Sequence, residues 1–577
     1  MARSKLPPPV RFRLDGSPTS ALPGDTLLQA MSRQERAPLL TRSVRYHRPR
    51  GALCGLGQCT GCLVRVNGVP NVRACRYVPS EGDVVSRENA WPSVSWDLFA
   101  LLDTVFPGHV DTLHGFRRPG FLRPLYHSVI RRLAGYGRLP DRVPAPPHLR
   151  ESPPDPAEIF DLLLVGAGPV GQGVMDALSR GDVPPRKVVW VGRRRPGDPP
   201  VPEGRGAREG EVIHLPPPGA DGTFSALVTW ASGGTSILRA RGVILAVGGY
   251  DGSLVFGQND RPGIMTGDGA LASVAPEGTP PFRRALLFGG GERSRELLER
   301  WGSRVHAVAA PGKISPALTR AASDLGVSLW PFQLLVAARG RRRVRRAILR
   351  DRTRDVGTHL DVDAIILSHR RLPNVPLLFQ AGAKMRWDSR GSFYLPEVGP
   401  DQTTSVPGLF VVGRVAGEVS PIRIQEGIQR MVRAIPGTED VPVWDEDLPT
   451  SSGEVPVPDE GEDEEVDWRQ YYLESLALPL LGKRMVCPCE DVVMEELDEA
   501  VHEGFSGMEV VKRVTGTGTG LCQGRYCLPE ALLLLSLFEG RPPEELGFIT
   551  QRPPVWPTPL GDLAQIPPAP SGPPGGG

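Results

Sequence analysis

Runs of aliphatic and β-branched residues recur through the middle of the chain, and most of them end at a glycine turn. They are FDLLLVGAG from Phe160, VVWVG from Val188, GVILAVGG from Gly242, ALLFGGG from Ala285, AIILSH from Ala364 and LFVVGR from Leu409. Continuous apolar runs of this length read as strands covered on both faces, and the stretches between them carry helical periodicity. Strand and helix in alternation predict an α/β core from about Ile159 to Ile435. Three stretches break the pattern. LPDRVPAPPHLRESPPDP after Arg138 has too many prolines for a helix or a central strand and reads as a linker. The acidic, Pro/Gly/Ser-rich run from Gly437 to Asp467 cannot bury enough apolar surface to form a core, and IPPAPSGPPGGG from Ile566 reads as a disordered tail.

At 577 residues the chain predicts three or four domains. The formal charge of +2 is spread over interspersed charges of both signs, so no global field recruits nucleic acid or an anionic membrane. The arginine-rich run RGRRRVRRAILRDRTR from Arg339 lies between strands of the core and lacks interleaved aromatics, so it reads as a solvated hairpin. The start has no signal-peptide pattern and no window approaches a transmembrane segment, which predicts a cytoplasmic protein.

All eight cysteines fall in two groups of four, one near each terminus. In a reducing compartment such grouping favours metal over disulfides. The pattern predicts metal centres at opposite ends of the core. Cys54, Cys59, Cys62 and Cys75 stand as C-x4-C-x2-C-x12-C, the spacing of plant-type 2Fe-2S ferredoxins. Gly55, Gly57 and Gly61 would let that loop turn its amides toward sulfur. Zinc or unligated core thiols are the competing readings. His47 nearby is redundant to four thiolates and reads as an ordinary histidine.

Cys487, Cys489, Cys522 and Cys527 form C-x-C-x32-C-x4-C. The intervening MEELDEAVHEG reads as a helix ending at Gly504 that folds the chain back and brings the two cysteine pairs together, a geometry suited to a 2Fe-2S rhomb. Structural zinc stays open here as well.

Gly166, Gly168 and Gly171 follow an apolar strand and open a helix near Val170, the fingerprint of a dinucleotide half-site with phosphate at the helix N-terminus. The acid that should hold the adenosine ribose is missing, since Gly192 and Arg193 occupy its place. Arg193, Arg194 and Arg195 read either as a grip for a 2′-phosphate or as surface arginines. Gly289, Gly290 and Gly291 mark a second half-site whose third glycine is replaced by Ser294; an NAD(P) site and an empty retained fold both remain open there. Late in the core, Gly413 precedes Arg414.

Together RYHRPRGALCGLGQC, NAWPSVSWD, VGAGPVGQG, NDRPGIMT, VCPCEDV, GLCQGRYC and RPPVWP resemble the opine oxidase, hydrogen cyanide synthase and sarcosine oxidase α-subunit family, which is related to dye-linked proline dehydrogenases. The stretch GLFVVGRVAGE after Pro407 resembles the late strand-turn of two-dinucleotide flavoproteins, in which a Gly-Asp pair contacts the ribityl-phosphate region of the flavin; here the pair is Gly413-Arg414. The resemblance implies a multidomain α/β protein. A ferredoxin-like 2Fe-2S domain of α+β type over 1–140 and a linker over 141–157 would lead into an FAD domain over 158–275 and 379–436, interrupted by an NAD(P)-type domain over 276–378. An acidic linker over 437–466, a bacterioferritin-associated-ferredoxin-like helical 2Fe-2S domain over 467–563 and a tail over 564–577 would complete the chain.

The implied activity is that of an FAD/2Fe-2S electron-transfer subunit of an amine, opine or amino-acid dehydrogenase. The amine would be oxidised on a partner flavoprotein resembling D-amino acid oxidases, and electrons would leave to a quinone or other acceptor, with the chain cytoplasmic or held at a membrane surface by its complex. The rivals are a stand-alone NAD(P)H-dependent reductase and a cluster-bearing scaffold without flavin. No general acid or base can be named.

Overall fold

The computed structural model describes residues 8–109, 158–180, 187–193, 207–275, 278–435, 466–479 and 481–566. The proline-rich linker, nearly all of the acidic linker, Arg194, Arg195 and the end of the tail lie outside the described residues, as does the stretch 110–140.

Near the N-terminus a five-stranded sheet runs Ser17–Ala21, Val10–Leu14, Val84–Arg87, Leu63–Val66, Val69–Arg73 in spatial order. Helix Leu27–Gln34 closes over it. Thr26 and Gln29 cap that helix reciprocally, each side chain bonded to the other's backbone N–H, so two of the helix's otherwise unsatisfied amides find partners. The buried face, Leu27, Leu28, Ala30 and Met31, packs with Val64, Val85, Cys62 and Cys75. Two thiols therefore belong to this small core.

The nucleotide sheet has six strands in the order Phe224–Trp230, Ala207–His214, Val188–Gly192, Ile159–Val165, Thr235–Leu245, Leu409–Val411. Strand Ile159–Val165 runs parallel to both of its neighbours, and helices Pro169–Arg180 and Pro421–Ala434 bury Leu162, Leu164, Ile244 and Phe410 beneath Val174, Met431 and Val432. A second sheet of five parallel strands runs Ile264–Thr266, Ala364–Leu367, Ala285–Phe288, Val305–Ala309, Ser328–Trp330. By pairing, Ile264–Thr266 belongs to this second sheet although it precedes residue 276. The arginine-rich run spans the turn between antiparallel strands Gln333–Arg339 and Arg346–Asp351 and the second of those strands, with Arg341, Arg342, Arg345 and Arg346 exposed and Val344, Ala347 and Leu349 buried. These two sheets make the fold a multidomain α/β one with Rossmann-like layers.

The last unit is helical. Helix Leu528–Phe538 is apolar nearly all round, the composition of a helix surrounded by protein, and it is buried against Trp468–Leu476, Met494–His502 and the hairpin residues Leu334 and Leu335. Beyond it the chain returns to the nucleotide sheet, where Val555 donates its N–H to Ile213 O at 2.9 Å and packs in that sheet's core. Among the described residues no helix is long and apolar enough to cross a membrane.

Three units meet at a buried seam of charge. Arg48 binds Asp260 through Nε and Nη2, both at 2.7 Å, and Asp103 at 2.7 Å. Arg50 pairs with Asp260 at 2.7 Å and with Asp491. Arg45 gives its backbone N–H to Asp491 and its guanidinium to Glu496, each at 2.7 Å. Burial alone would raise the Asp260 carboxyl, but the Arg48 and Arg50 guanidiniums outweigh it and hold the group well below the usual carboxylate range.

A depressed folded pKa contributes stability that is fully present above the unfolded value of about 3.9 and is lost progressively as pH falls from there through the lower folded value. Asp260→Asn leaves Arg48 and Arg50 buried without their shared carboxylate, which costs about 3–5 kcal/mol. Unfolding midpoints followed from pH 7 down to pH 2.5 are expected to show the variant much weaker at neutral pH, with a shallower loss of stability on the acid side than the parent.

Candidate functional site

All eight cysteines are buried and none is in a disulfide. In the first group Gly55 has φ +63°, and a Cβ there would lie 2.4 Å from Ala272 Cβ, so the loop is pressed against helix Gly267–Ala272. Leu56 and Cys59 aim their backbone N–H groups at Cys54 Sγ, each at 3.4 Å. Burial pushes the Cys54 thiol up, yet the hydrogen bonds from Cys59, Leu56 and Gln58 overcome it and bring the group down to about 6. Such a site favours thiolate, the form that binds metal. Cys62 and Cys75 make the other thiol–thiol contact of this group.

In the second group Cys487 ends strand Met485–Cys487, while Cys527 caps helix Leu528–Phe538. The return between the pairs is made by two helices, Met494–His502 and Met508–Thr515, where the periodicity predicted one; Gly504, at φ +90°, ends the first of them as expected. Cys489 contacts Cys522, and Cys487 contacts Cys527. A Cβ at Gly520 would lie 2.7 Å from Cys489 Cβ, so the loop before Cys522 needs glycine there.

The eight thiols thus stand as four pairs. Among the described residues no three His, Cys, Asp or Glu side chains converge as one metal ion would require. A structural zinc needs four ligands around a single point, whereas a 2Fe-2S rhomb takes thiolates two by two. The residues present fit the rhomb.

The expectation of centres at opposite ends of the core is overturned. Cys54, Leu56 and Cys59 share one apolar cluster with Cys487, Cys489, Cys522 and Cys527. The Tyr526 hydroxyl donates to Gln58 Oε1 at 2.6 Å. The Cys522 thiol holds Cys489 down against the push of burial, and Thr60 adds to that with hydrogen bonds from its hydroxyl and its amide. Gln58, Thr60 and Tyr526 went unremarked in the sequence; their only signal is that each adjoins a cysteine. His47 is engaged elsewhere, with Nδ1 2.8 Å from Asp97.

The nucleotide turn has the geometry its glycines predict. Gly166 has φ +120°, and a Cβ at Gly171 would lie 2.0 Å from Gly166 O. A Cβ at Gly168 would meet nothing within 4 Å, which leaves the mouth of the turn open above the N-terminus of helix Pro169–Arg180. Gly413, at φ +80°, packs on Val170 of the same helix, and Arg414 lies against Gly249. This cradle fits a dinucleotide pyrophosphate.

Arg193, standing where the ribose acid is customary, faces inward. It donates to Leu56 O in the first cysteine loop, pairs with Glu211 at 3.2 Å and lies 4.3 Å over the Trp556 ring. Arg525, from the second cysteine loop, lies 4.4 Å from the same ring. At the second glycine turn a Cβ on Gly290 would lie 2.4 Å from Lys313 O, so backbone already covers it. Gly289 is pressed on Ser368 O, and Gly291 caps helix Glu292–Trp301.

A 2Fe-2S iron-sulfur cluster binding domain family matches residues 8–90, and the sarcosine oxidase A3 domain matches residues 481–566. The chain is 26% identical to the alpha subunit of sarcosine oxidase from Rhizobium meliloti, over 96% of this chain and 57% of that one, so it spans little more than half of that relative. It is 23% identical to an opine oxidase subunit of the same species, over 71% of this chain and 99% of that one. Over 80 residues it is 37% identical to hydrogen cyanide synthase subunit HcnA of Pseudomonas aeruginosa, covering 14% of this chain and 73% of that one. The L-proline dehydrogenase structure from P. horikoshii superposes with a TM-score of 0.60 at 18% identity, covering 97% of this chain and 98% of that one, and shows the shared fold.

Gly55→Ala combines a left-handed backbone with a collision against helix Gly267–Ala272. Opening the loop by about 1.4 kcal/mol raises its exposed population about tenfold. Thiol labelling of metal-free protein, mapped by peptide, is expected to quicken by that factor at Cys54 and Cys59 and to stay unchanged at Cys487 and Cys527.

Proposed function

This chain belongs to the family of opine oxidase, hydrogen cyanide synthase and the sarcosine oxidase α subunit, and from that we propose that it is the electron-transfer subunit of an amine, opine or amino-acid dehydrogenase complex. The observation that carries the reading is the set of four buried thiol pairs beside an open dinucleotide turn. Cys54, Cys59, Cys62 and Cys75 would ligate one 2Fe-2S cluster, and Cys487, Cys489, Cys522 and Cys527 the other. Gly166, Gly168 and Gly171 would admit the FAD pyrophosphate, with Gly413 beside them.

Bound flavin would take electrons in pairs and the clusters would carry them singly. The chain's own residues exclude water from the thiols and orient the loops that hold them. The amine-oxidising site would lie on a partner flavoprotein, with a quinone or other acceptor downstream. Gly289 and Gly291, at the second sheet's turn, would serve any NAD(P).

Anaerobically purified protein is expected to hold about four irons, with a rhombic paramagnetic signal after dithionite. Cys59→Ser and Cys522→Ser should each remove about two of them. Zinc in iron's place would overturn the reading, and bleaching by NADPH without a partner would favour the stand-alone reductase. For flavin, Gly171→Ala places a Cβ 2.0 Å from Gly166 O. It is expected to abolish the flavin released on denaturing the purified protein, read by fluorescence, while leaving its iron in place.

A further inference from the structure

Among the described residues the two cysteine groups touch each other directly. Cys59 has Gln58 on one side and Thr60 on the other, and both side chains reach the C-terminal group. Gln58 accepts the hydroxyl of Tyr526, the residue before Cys527, and both are 2% exposed. Thr60 hydrogen-bonds to Cys489 itself, and the two residues line one shared cavity together with Pro488. Two residues past Cys489, Asp491 is fastened to Arg50, so the approach is held by buried charge as well as by apolar packing.

We propose that the two cysteine groups form one two-centre relay, in which electrons pass directly between the N-terminal and C-terminal clusters across the Thr60–Cys489 and Gln58–Tyr526 contacts. Thr60 is the positioning residue that sets the potential of the C-terminal centre. The inference rests on the iron-sulfur reading above. Each transfer moves one electron from a ferrous iron on one side to a ferric iron on the other; no bond forms or breaks, and no proton is required. A donor aimed at a ligand sulfur stabilises the more negative, reduced state, so it raises the reduction potential.

Thr60→Val keeps the size and the backbone N–H but removes the hydroxyl. In full-length, anaerobically prepared protein the variant is expected to retain the parent's iron. The redox equilibrium of its C-terminal centre should shift about tenfold toward the oxidised form, which is about 59 mV for a one-electron couple. The N-terminal centre should keep its potential, and Thr60→Ser should restore the parent value. In a dithionite titration of the unaltered protein, splitting or broadening of the paramagnetic signal should grow in only when both centres are reduced. Cys75→Ser, which removes a ligand of the N-terminal cluster, should collapse that splitting to one simple rhombic signal.

Iron retained with both potentials unmoved in Thr60→Val, or a fully reduced spectrum equal to the sum of two isolated signals, would overturn the relay while the functional reading stands. An unaltered protein without any iron-sulfur signal would overturn that reading and the relay with it.

Discussion

The alignment of the two cysteine groups depends on the burial of Arg50 between Asp260 and Asp491. Removing an ion from water costs several kcal/mol even after the protein relaxes, and the cost is offset only when partners meet the charge at close range. A guanidinium cannot escape by losing its proton, so the seam tolerates little between fully closed and open. Asp260 comes from the core and Asp491 from the second cysteine loop, while Arg50 enters the first. Arg48 is held in turn between Asp260 and Asp103, the latter shared with Lys483.

With that seam closed, the nucleotide sheet and both cysteine loops converge on a few shared residues. Arg193 explains why the ribose acid is gone. Its charge is spent on Glu211, on a carbonyl of the first cysteine loop and on Trp556, whose ring Arg525 of the second loop also approaches. A carboxylate there could make none of those contacts. The two glycine turns have also diverged: Gly171 stands against Gly166 O in the first, whereas in the second Ser294 takes that place and donates its hydroxyl to Gly289 O at 2.9 Å.

Much of this was written locally in the chain. Cysteine spacing, the Gly166–Gly171 turn, the buried strand runs and the solvated arginine hairpin each arise from neighbours in sequence, and each is found where the pattern predicts it. What could not be read arises from contacts across the chain. Arg50 and Asp491 are separated by 441 positions, and Gln58 and Tyr526 by 468. Nothing in RPRG or CPCED says that one is the counter-ion of the other, since an arginine near a cysteine loop is as easily solvated as buried. The same blindness separated the cysteine groups into two distant centres, and it let Ile264–Thr266, too short to announce its sheet, pass for part of the preceding one.

The N-terminal unit carries a further consequence. In the Pseudomonas aeruginosa relative, a separate subunit is matched over most of its length by 80 residues of this chain. Here that unit is covalently joined to the rest, and joining two modules in one chain replaces a bimolecular encounter by an intramolecular one. A seam closed within one chain need not be wide or greasy to stay assembled. It can be small and charged, and dilution cannot unbalance the stoichiometry of the two cysteine groups, because every copy of one is synthesised with a copy of the other.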